Sequence, residues 1–152
     1  SFGEAFARAH EAAGIAPPAI GKAFLSVRES DKARLVPVAE DLLRRGFSLV
    51  ATSGTCAYLR TRGIECERIN KVIEGRPHIV DLIKNREIVF IVNTTEGKQA
   101  IADSFSIRRQ ALQQRVTYST TISGARALLH SLDFRQSENV SSLQKLHREL
   151  IA

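Results

Sequence analysis

Ile88-Val89-Phe90-Ile91-Val92 is an unbroken apolar run, followed at once by Asn93-Thr94-Thr95-Glu96-Gly97-Lys98. A strand with one wet face alternates apolar and polar residues. A run without alternation is the pattern of a central parallel strand, buried on both faces. Parallel neighbours need long crossovers, usually helices. The rest of the chain should therefore alternate strand and helix around this run. Ala23 to Val27, Phe47 to Ala51, Cys66 to Ile69 and Val116 to Tyr118 read as the other strands. Between and after them come helices. One runs from a capping Asp31 to about Arg45, is stopped by Gly46, and carries its apolar stripe on Leu35, Val38, Ala39, Leu42 and Leu43. A second follows Thr52-Ser53-Gly54-Thr55 and ends at Gly63, and a third has Pro77 in its first turn and reaches about Asn85. Two more cover about Lys98 to Gln113 and Thr121 to Ser131. Pro37 predicts that the first helix either starts late, near Val36, or kinks. The pattern is an α/β fold, a parallel sheet with helices on both faces.

At 152 residues the chain has the length of one domain and can bury a core without disulfides or a structural metal. Its 43% hydrophobic and 25% charged residues are ordinary globular composition, which excludes disorder, collagen and a disulfide scaffold. No apolar run is long enough to cross a membrane, and the start has the pattern of no signal peptide. A net charge of +6 suggests an anionic partner. The basic residues form no tract, however, and aromatics are only 6%, so nucleic acid is disfavoured. Cys56 and Cys66 read as reduced thiols rather than a bridge or metal site, and His10, His78, His130 and His147 are too dispersed for a ligand set. There is no Met, which points to a domain cut from a longer protein. Residues 1–20, with an amphipathic helix over Phe2 to Ala13, read as a connector, residues 21–152 as the domain, and Ser142 to Leu150 as a last amphipathic helix.

Ligands of open parallel sheets bind at the carboxyl ends of the strands. Those ends carry Ser26, Arg28 and Lys32; Thr52-Ser53-Gly54-Thr55; Asn70 and Lys71; Asn93 to Lys98; and Tyr118 to Thr121. Hydroxyls, amides and lysines beside helix N-termini suit a phosphate. Each segment alone is more simply a set of helix caps, and only their recurrence favours a phosphorylated ligand. Neither a dinucleotide glycine fingerprint nor a P-loop is present.

Taken in order, several segments closely resemble the C-terminal allosteric domain of bacterial carbamoyl-phosphate synthase large subunits, of the methylglyoxal-synthase-like superfamily. They are Ala23-Phe24-Leu25-Ser26-Val27-Arg28-Glu29, Asp31-Lys32, Ala51-Thr52-Ser53-Gly54-Thr55, Asn70-Lys71-Val72, Glu74-Gly75-Arg76-Pro77-His78-Ile79, Asn93-Thr94-Thr95-Glu96-Gly97, Ile107-Arg108-Arg109 and Tyr118-Ser119-Thr120-Thr121. The resemblance spans about Lys22 to Leu132, and residues 2–13 resemble the join to the preceding synthetase half. It implies a three-layer Rossmann-like fold with a five-stranded parallel sheet in the order 3-2-1-4-5. It also implies a non-catalytic regulatory module, binding UMP as inhibitor and IMP as activator at one site. By position, Lys32, Thr52, Ser53, Gly54, Thr55 and Lys71 would hold the phosphate. Asn93 and Thr95 would lie near ribose and phosphate, Ser26 and Asn70 would share the pocket, and Lys98 stands where the family often has arginine. Tyr118 and Thr120 match residues that help hold ornithine. The domain would need no cofactor of its own. ATP and Mg or Mn would serve the synthetase halves of a cytoplasmic enzyme of pyrimidine and arginine biosynthesis, partnered by a glutaminase small subunit.

The rival reading is a methylglyoxal synthase, a lyase acting on dihydroxyacetone phosphate, which needs a carboxylate base and a histidine. Where that enzyme has Gly-Gly-Asp this chain has Glu74-Gly75-Arg76-Pro77, and where it has Pro-His-Asp this chain has Ile101-Ala102-Asp103. An IMP cyclohydrolase domain would carry a Lys-Thr-Leu-His-Pro element that is absent here. The regulatory domain of the urea-cycle synthetase departs from Thr52-Ser53-Gly54-Thr55 and from Asn93-Thr94-Thr95.

Overall fold

The apolar run forms β4, Ile88–Asn93, and it lies inside the sheet. The computed structural model describes residues 21–134. Its strands are β1 (Lys22–Ser26), β2 (Ser48–Ala51), β3 (Glu67–Arg68), β4 and β5 (Thr117–Ser119), all parallel, in the order β3-β2-β1-β4-β5. The helices are α1 (Lys32–Arg44), α2 (Ser53–Thr61), α3 (Ile79–Lys84), α4 (Lys98–Gln113) and α5, helical over 122–134. The expected helices at 2–13 and 142–150 lie outside the described residues.

Side chains alternate across the sheet, and each face has its own core. On one face Leu25, Leu49, Phe90 and Val92 pack with Leu35, Val38 and Leu42 of α1, Leu59 of α2 and Leu129 of α5. On the other, Phe24, Val50 and Ile91 pack with Ile79 and Ile83 of α3 and Ile107 and Ala111 of α4. The result is the expected three-layer arrangement. Between β1 and β4 the register shifts, pairing Lys22 with Ile88 but Ala23 with Phe90, so Val89 is the extra residue. Gly21 lies beside it: with φ +149°, a Cβ there would fall 2.3 Å from Val89 Cγ2. Only glycine admits this approach.

Three local expectations need correction. Asp31 does not cap α1 with its side chain. Its buried carboxylate instead accepts from Arg28 Nε at 2.8 Å and faces Arg34 Nη1 at 3.5 Å. Two guanidinium partners outcompete backbone N–H groups for one carboxylate. Pro37 does not delay α1, which is helical from Lys32 to Arg44, so the late start is excluded. The proline removes one N–H donor, and burial of Leu35, Val38, Ala39 and Leu42 offsets the loss. Pro77 lies before α3 rather than in its first turn, after a cis peptide with Arg76. His78 is the N-cap, and its N–H donates to Asp81 Oδ2 at 3.0 Å.

Candidate functional site

The strand order reverses between β1, whose chain leads outward to β2, and β4, reached by crossing over from β3. Loops leaving two such strands diverge to opposite faces and leave a crevice. A cleft of about 290 Å³ lies there, walled by Ser26 to Glu29 after β1, Thr52 after β2, Lys71 and Val72 after β3, and Asn93 to Glu96 at the end of β4. Its far wall is one stripe of α4, Ala100, Asp103, Ser104 and Ile107, with Ile79 of α3 beside it.

Backbone and hydroxyl contacts fix the two central loops to each other. Thr94 N–H donates to Ser26 O at 3.0 Å, and Arg28 N–H donates to Thr94 Oγ1 at 3.0 Å. Thr52 Oγ1 and Ser26 Oγ lie 3.0 Å apart, in hydrogen-bond contact. That contact replaces the cap expected of Thr52: α2 has no side-chain cap, and its first internal bond is from Cys56 N–H to Thr52 O at 2.7 Å. The N–H groups of the first turn have no intrahelical acceptor, and the helix dipole adds partial positive charge at that point.

Lys32 brings a full positive charge to the same place. Its Nζ lies where a Cβ on Gly54 would meet it at 3.4 Å, and it pairs with Glu29 Oε2 at 2.6 Å. A cation at a helix N-terminus is repelled by the dipole. The pairing of Lys32 with this terminus therefore favours an anion between them. Glu29, whose side chain is 80% exposed, partners Lys32 from the cleft wall.

Of the residues singled out from sequence, Ser26, Thr52, Lys71, Asn93 and Thr95 line the cleft. Lys32, Ser53 and Gly54 are not in the wall: Ser53 and Gly54 open α2 directly after the wall residue Thr52, and Lys32 of α1 reaches toward Gly54. Thr55 does not line the cleft but bonds to Val27, which does. Its side chain is buried at 2% exposure, and its Oγ1 accepts from Val27 N–H at 3.2 Å. Asn70 lies outside the wall and spans its own loop, donating from Nδ2 to Gly75 O at 3.3 Å. Lys98 is exposed at the start of α4 and is not in the wall, and Thr120 is exposed beyond β5. Tyr118 touches the site through a partner: its hydroxyl accepts from Asn93 Nδ2 at 2.9 Å, while the Arg108 guanidinium sits 5.5 Å from its ring centroid.

Sequence reasoning missed Thr94, Glu29 and the α4 stripe as site residues. The stripe had a signal, since residues 100, 103, 104 and 107 share one helix face. The polar members interrupt an otherwise apolar stripe. Asp103 Oδ1 accepts from Gln99 Nε2 at 2.9 Å, which holds its carboxylate at the wall. Among the described residues no cluster of three His, Cys, Asp or Glu side chains could hold a metal ion, and no helix is long and apolar enough to cross a membrane.

Comparison with known proteins agrees with this architecture. The family model of the MGS-like domain matches residues 34–120. The carbamoyl phosphate synthase large chain of Xanthomonas campestris pv. campestris is 67% identical over 152 residues, 100% of this chain. That of Xylella fastidiosa (strain Temecula1) is 64% identical over 150 residues, 99% of the chain, and that of Pseudomonas putida 50% identical over 152 residues, 100% of the chain. This chain spans 14% of the length of each of these relatives. With the sheet order, the family match and these identities in agreement, the chain belongs to the MGS-like domain family and is homologous to part of the carbamoyl phosphate synthase large chain.

Proposed function

We propose that this chain is the effector-binding regulatory domain of a carbamoyl phosphate synthase large chain, inactive by itself, and that its cleft takes a nucleoside monophosphate. The observation that carries the reading is the α2 N-terminus, uncapped by any side chain, with Lys32 Nζ beside Gly54 and the Thr52–Ser26 hydroxyl pair at its edge. Phosphate binds there, with Lys71 as a second cation. Val72, Ile79, Ala100 and Ile107 offer apolar surface for a base, and Asn93, Thr95, Asp103 and Ser104 offer partners for ribose hydroxyls. In this reading UMP inhibits and IMP activates through the one cleft, and ornithine binds near Tyr118 and Thr120. The parent enzyme's synthetase halves use ATP with Mg or Mn, a glutaminase small subunit supplies ammonia, and the enzyme serves pyrimidine and arginine biosynthesis in the cytoplasm.

The mechanism is linkage. A nucleotide shifts the parent enzyme only through unequal affinity for its two states, and typical couplings are about 1–3 kcal/mol. The route begins with contacts already described. A ligand that pulls on Asn93 pulls on the Tyr118 hydroxyl, and one that moves the β4 loop moves the β1 loop through Thr94. The nucleotide and ornithine sites thus share the Asn93–Tyr118 bond.

One observation favours a second reading, a lyase acting on dihydroxyacetone phosphate: the Asp103 carboxylate stands at the cleft wall, where a base could face a substrate held by its phosphate. Calorimetric titration with UMP, IMP and dihydroxyacetone phosphate, with methylglyoxal assayed in the last, separates the two. Saturable nucleotide binding without methylglyoxal supports the regulatory domain. Methylglyoxal formation abolished by Asp103→Asn overturns it.

A further inference from the structure

Cys56 and Cys66 are both free thiols, and their sulfurs lie 2.9 Å apart. Each sulfur also approaches the other residue's carbonyl oxygen, Cys56 Sγ to Cys66 O at 3.6 Å and Cys66 Sγ to Cys56 O at 3.7 Å. The two side chains therefore converge across the gap between α2 and the segment leading into β3. A disulfide has an S–S bond of about 2.05 Å, so each sulfur need move only a fraction of an ångström. With no third ligand near, among the described residues the pair is no metal site. Cys56 is 1% exposed, whereas Cys66 is half-buried and opens on a shallow groove beside Arg60, Gly63 and Ile64. An accessible sulfur backed by a buried one is the layout of thiol–disulfide exchange: the first meets the reagent and the second resolves the product.

We propose that Cys56 and Cys66 form a redox modification site, closed to an intramolecular disulfide by a low-molecular-weight disulfide such as oxidised glutathione. The Cys66 thiol gives its proton to solvent, and the thiolate attacks one sulfur of the reagent. A Cys66–reagent bond forms, the reagent's own S–S bond breaks, and one thiolate leaves and is protonated. The Cys56 thiol then gives up its proton and its sulfur attacks Cys66 Sγ, expelling the second reagent thiolate, which is protonated in turn. Two thiols of the protein are oxidised and one reagent disulfide is reduced to two thiols. Arg60, whose Nη2 donates to Cys66 O at 2.9 Å, stands beside the sulfur in a groove whose other charged walls are Lys22, Glu65 and Glu67. Burial, with Cys56 adding to it, pushes the Cys66 thiol up to about 12. The attacking thiolate is scarce at neutral pH, so closure is slow there and accelerates as pH rises.

The bridge would bear on α2. Cys56 N–H makes the first internal bond of that helix, and Cys66 precedes β3, which pairs with β2. Oxidation clamps the first turn of α2 to the β2–β3 edge and steadies the backbone of Ser53, Gly54 and Thr55. Neither the bridge nor this clamp depends on what the cleft binds, and both are read without ligand.

The test incubates the full chain with oxidised glutathione, alkylates remaining thiols in denaturant, and digests with trypsin without reduction. Cleavage after Arg45, Arg60, Arg62 and Arg68 puts Cys56 in 46–60 and Cys66 in 63–68. The expected product is those two peptides linked, from monomeric protein, with several-fold slower exchange of the Cys56 amide, which is bonded to Thr52 O, in the oxidised form. Cys56→Ala should halt the reaction at a Cys66–glutathione mixed disulfide. The proposal is overturned if both cysteines of the parent chain stay alkylatable, if the link joins two chains, or if exchange of the Cys56 amide is unchanged by oxidation.

Discussion

Replacing Lys32 by alanine separates the anion site from the fold. Lys32 opens α1, and its side chain is 15% exposed. Its Nζ contacts Glu29 Oε2 at 2.6 Å and would lie 3.4 Å from a Cβ on Gly54 of α2. The ion pair has a partner that is 80% exposed, and pairs of that kind contribute about 0–1 kcal/mol to folding. Removing the charge also removes repulsion from the α2 dipole, about 0.3–1 kcal/mol in the opposite sense. The two nearly cancel, so the unfolding free energy should change by less than about 1 kcal/mol. Binding loses a charge-assisted contact to phosphate, about 1.5–3 kcal/mol. At about 1.4 kcal/mol per decade, Kd for UMP should rise about 10- to 150-fold. Calorimetric titration gives Kd and urea unfolding gives stability. A variant with unchanged urea midpoint and a Kd within about threefold of the parent's would refute the reasoning.

Thr55→Val removes the acceptor of the buried Val27 N–H while nearly conserving volume; it should cost about 1–3 kcal/mol in urea unfolding and change UMP affinity far less than Lys32→Ala. Phe90→Ala empties a 0%-exposed site at the sheet centre, where the ring meets Phe47 edge-on at 6.2 Å, and should cost about 3–5 kcal/mol, a large share of a domain's stability, as read by thermal unfolding. The Asp81 carboxyl is held below its ordinary value, chiefly by the His78 N–H, with desolvation opposing and Arg76 adding. A depressed carboxylate stabilises the fold above its unfolded value of about 3.9 and loses that contribution as pH falls through the folded value. Asp81→Asn should therefore flatten the acid limb of stability against pH below about 4, and an unaltered limb would place the acid sensitivity elsewhere.

Local sequence was a good guide wherever one segment decides its own structure. The apolar run at β4 declared a doubly buried strand, and from it followed a parallel sheet with helices on both faces. The bounds of α4 agree with the expected Lys98 to Gln113, with Gly97 directly before its start. Asp31 was misread because its best partners, Arg28 and Arg34, are charged, and a residue-type preference for capping does not weigh them. The late start expected from Pro37 does not occur because the buried stripe of α1 outweighs one missing N–H. The cleft wall was legible where residues end a strand or directly follow one, as Ser26, Asn93 and Thr52 do. It was hidden where two elements must meet. Lys32 beside Gly54, Asn93 against Tyr118, and Cys56 against Cys66 are contacts between elements whose relative placement no local pattern encodes. The Thr55 hydroxyl, which accepts from the Val27 N–H just beyond β1, is another contact between elements of this kind.

The central claim is that a phosphate sits at the uncapped N-terminus of α2. The most direct test is amide chemical-shift mapping of the chain titrated with UMP, with uridine as the unphosphorylated control. The account predicts saturating shifts for UMP that are largest at Ser53, Gly54 and Thr55, with smaller ones at Lys71 and Thr95, and loss of the α2 shifts with uridine. UMP shifts that avoid residues 53–55, or that uridine reproduces there, would contradict it.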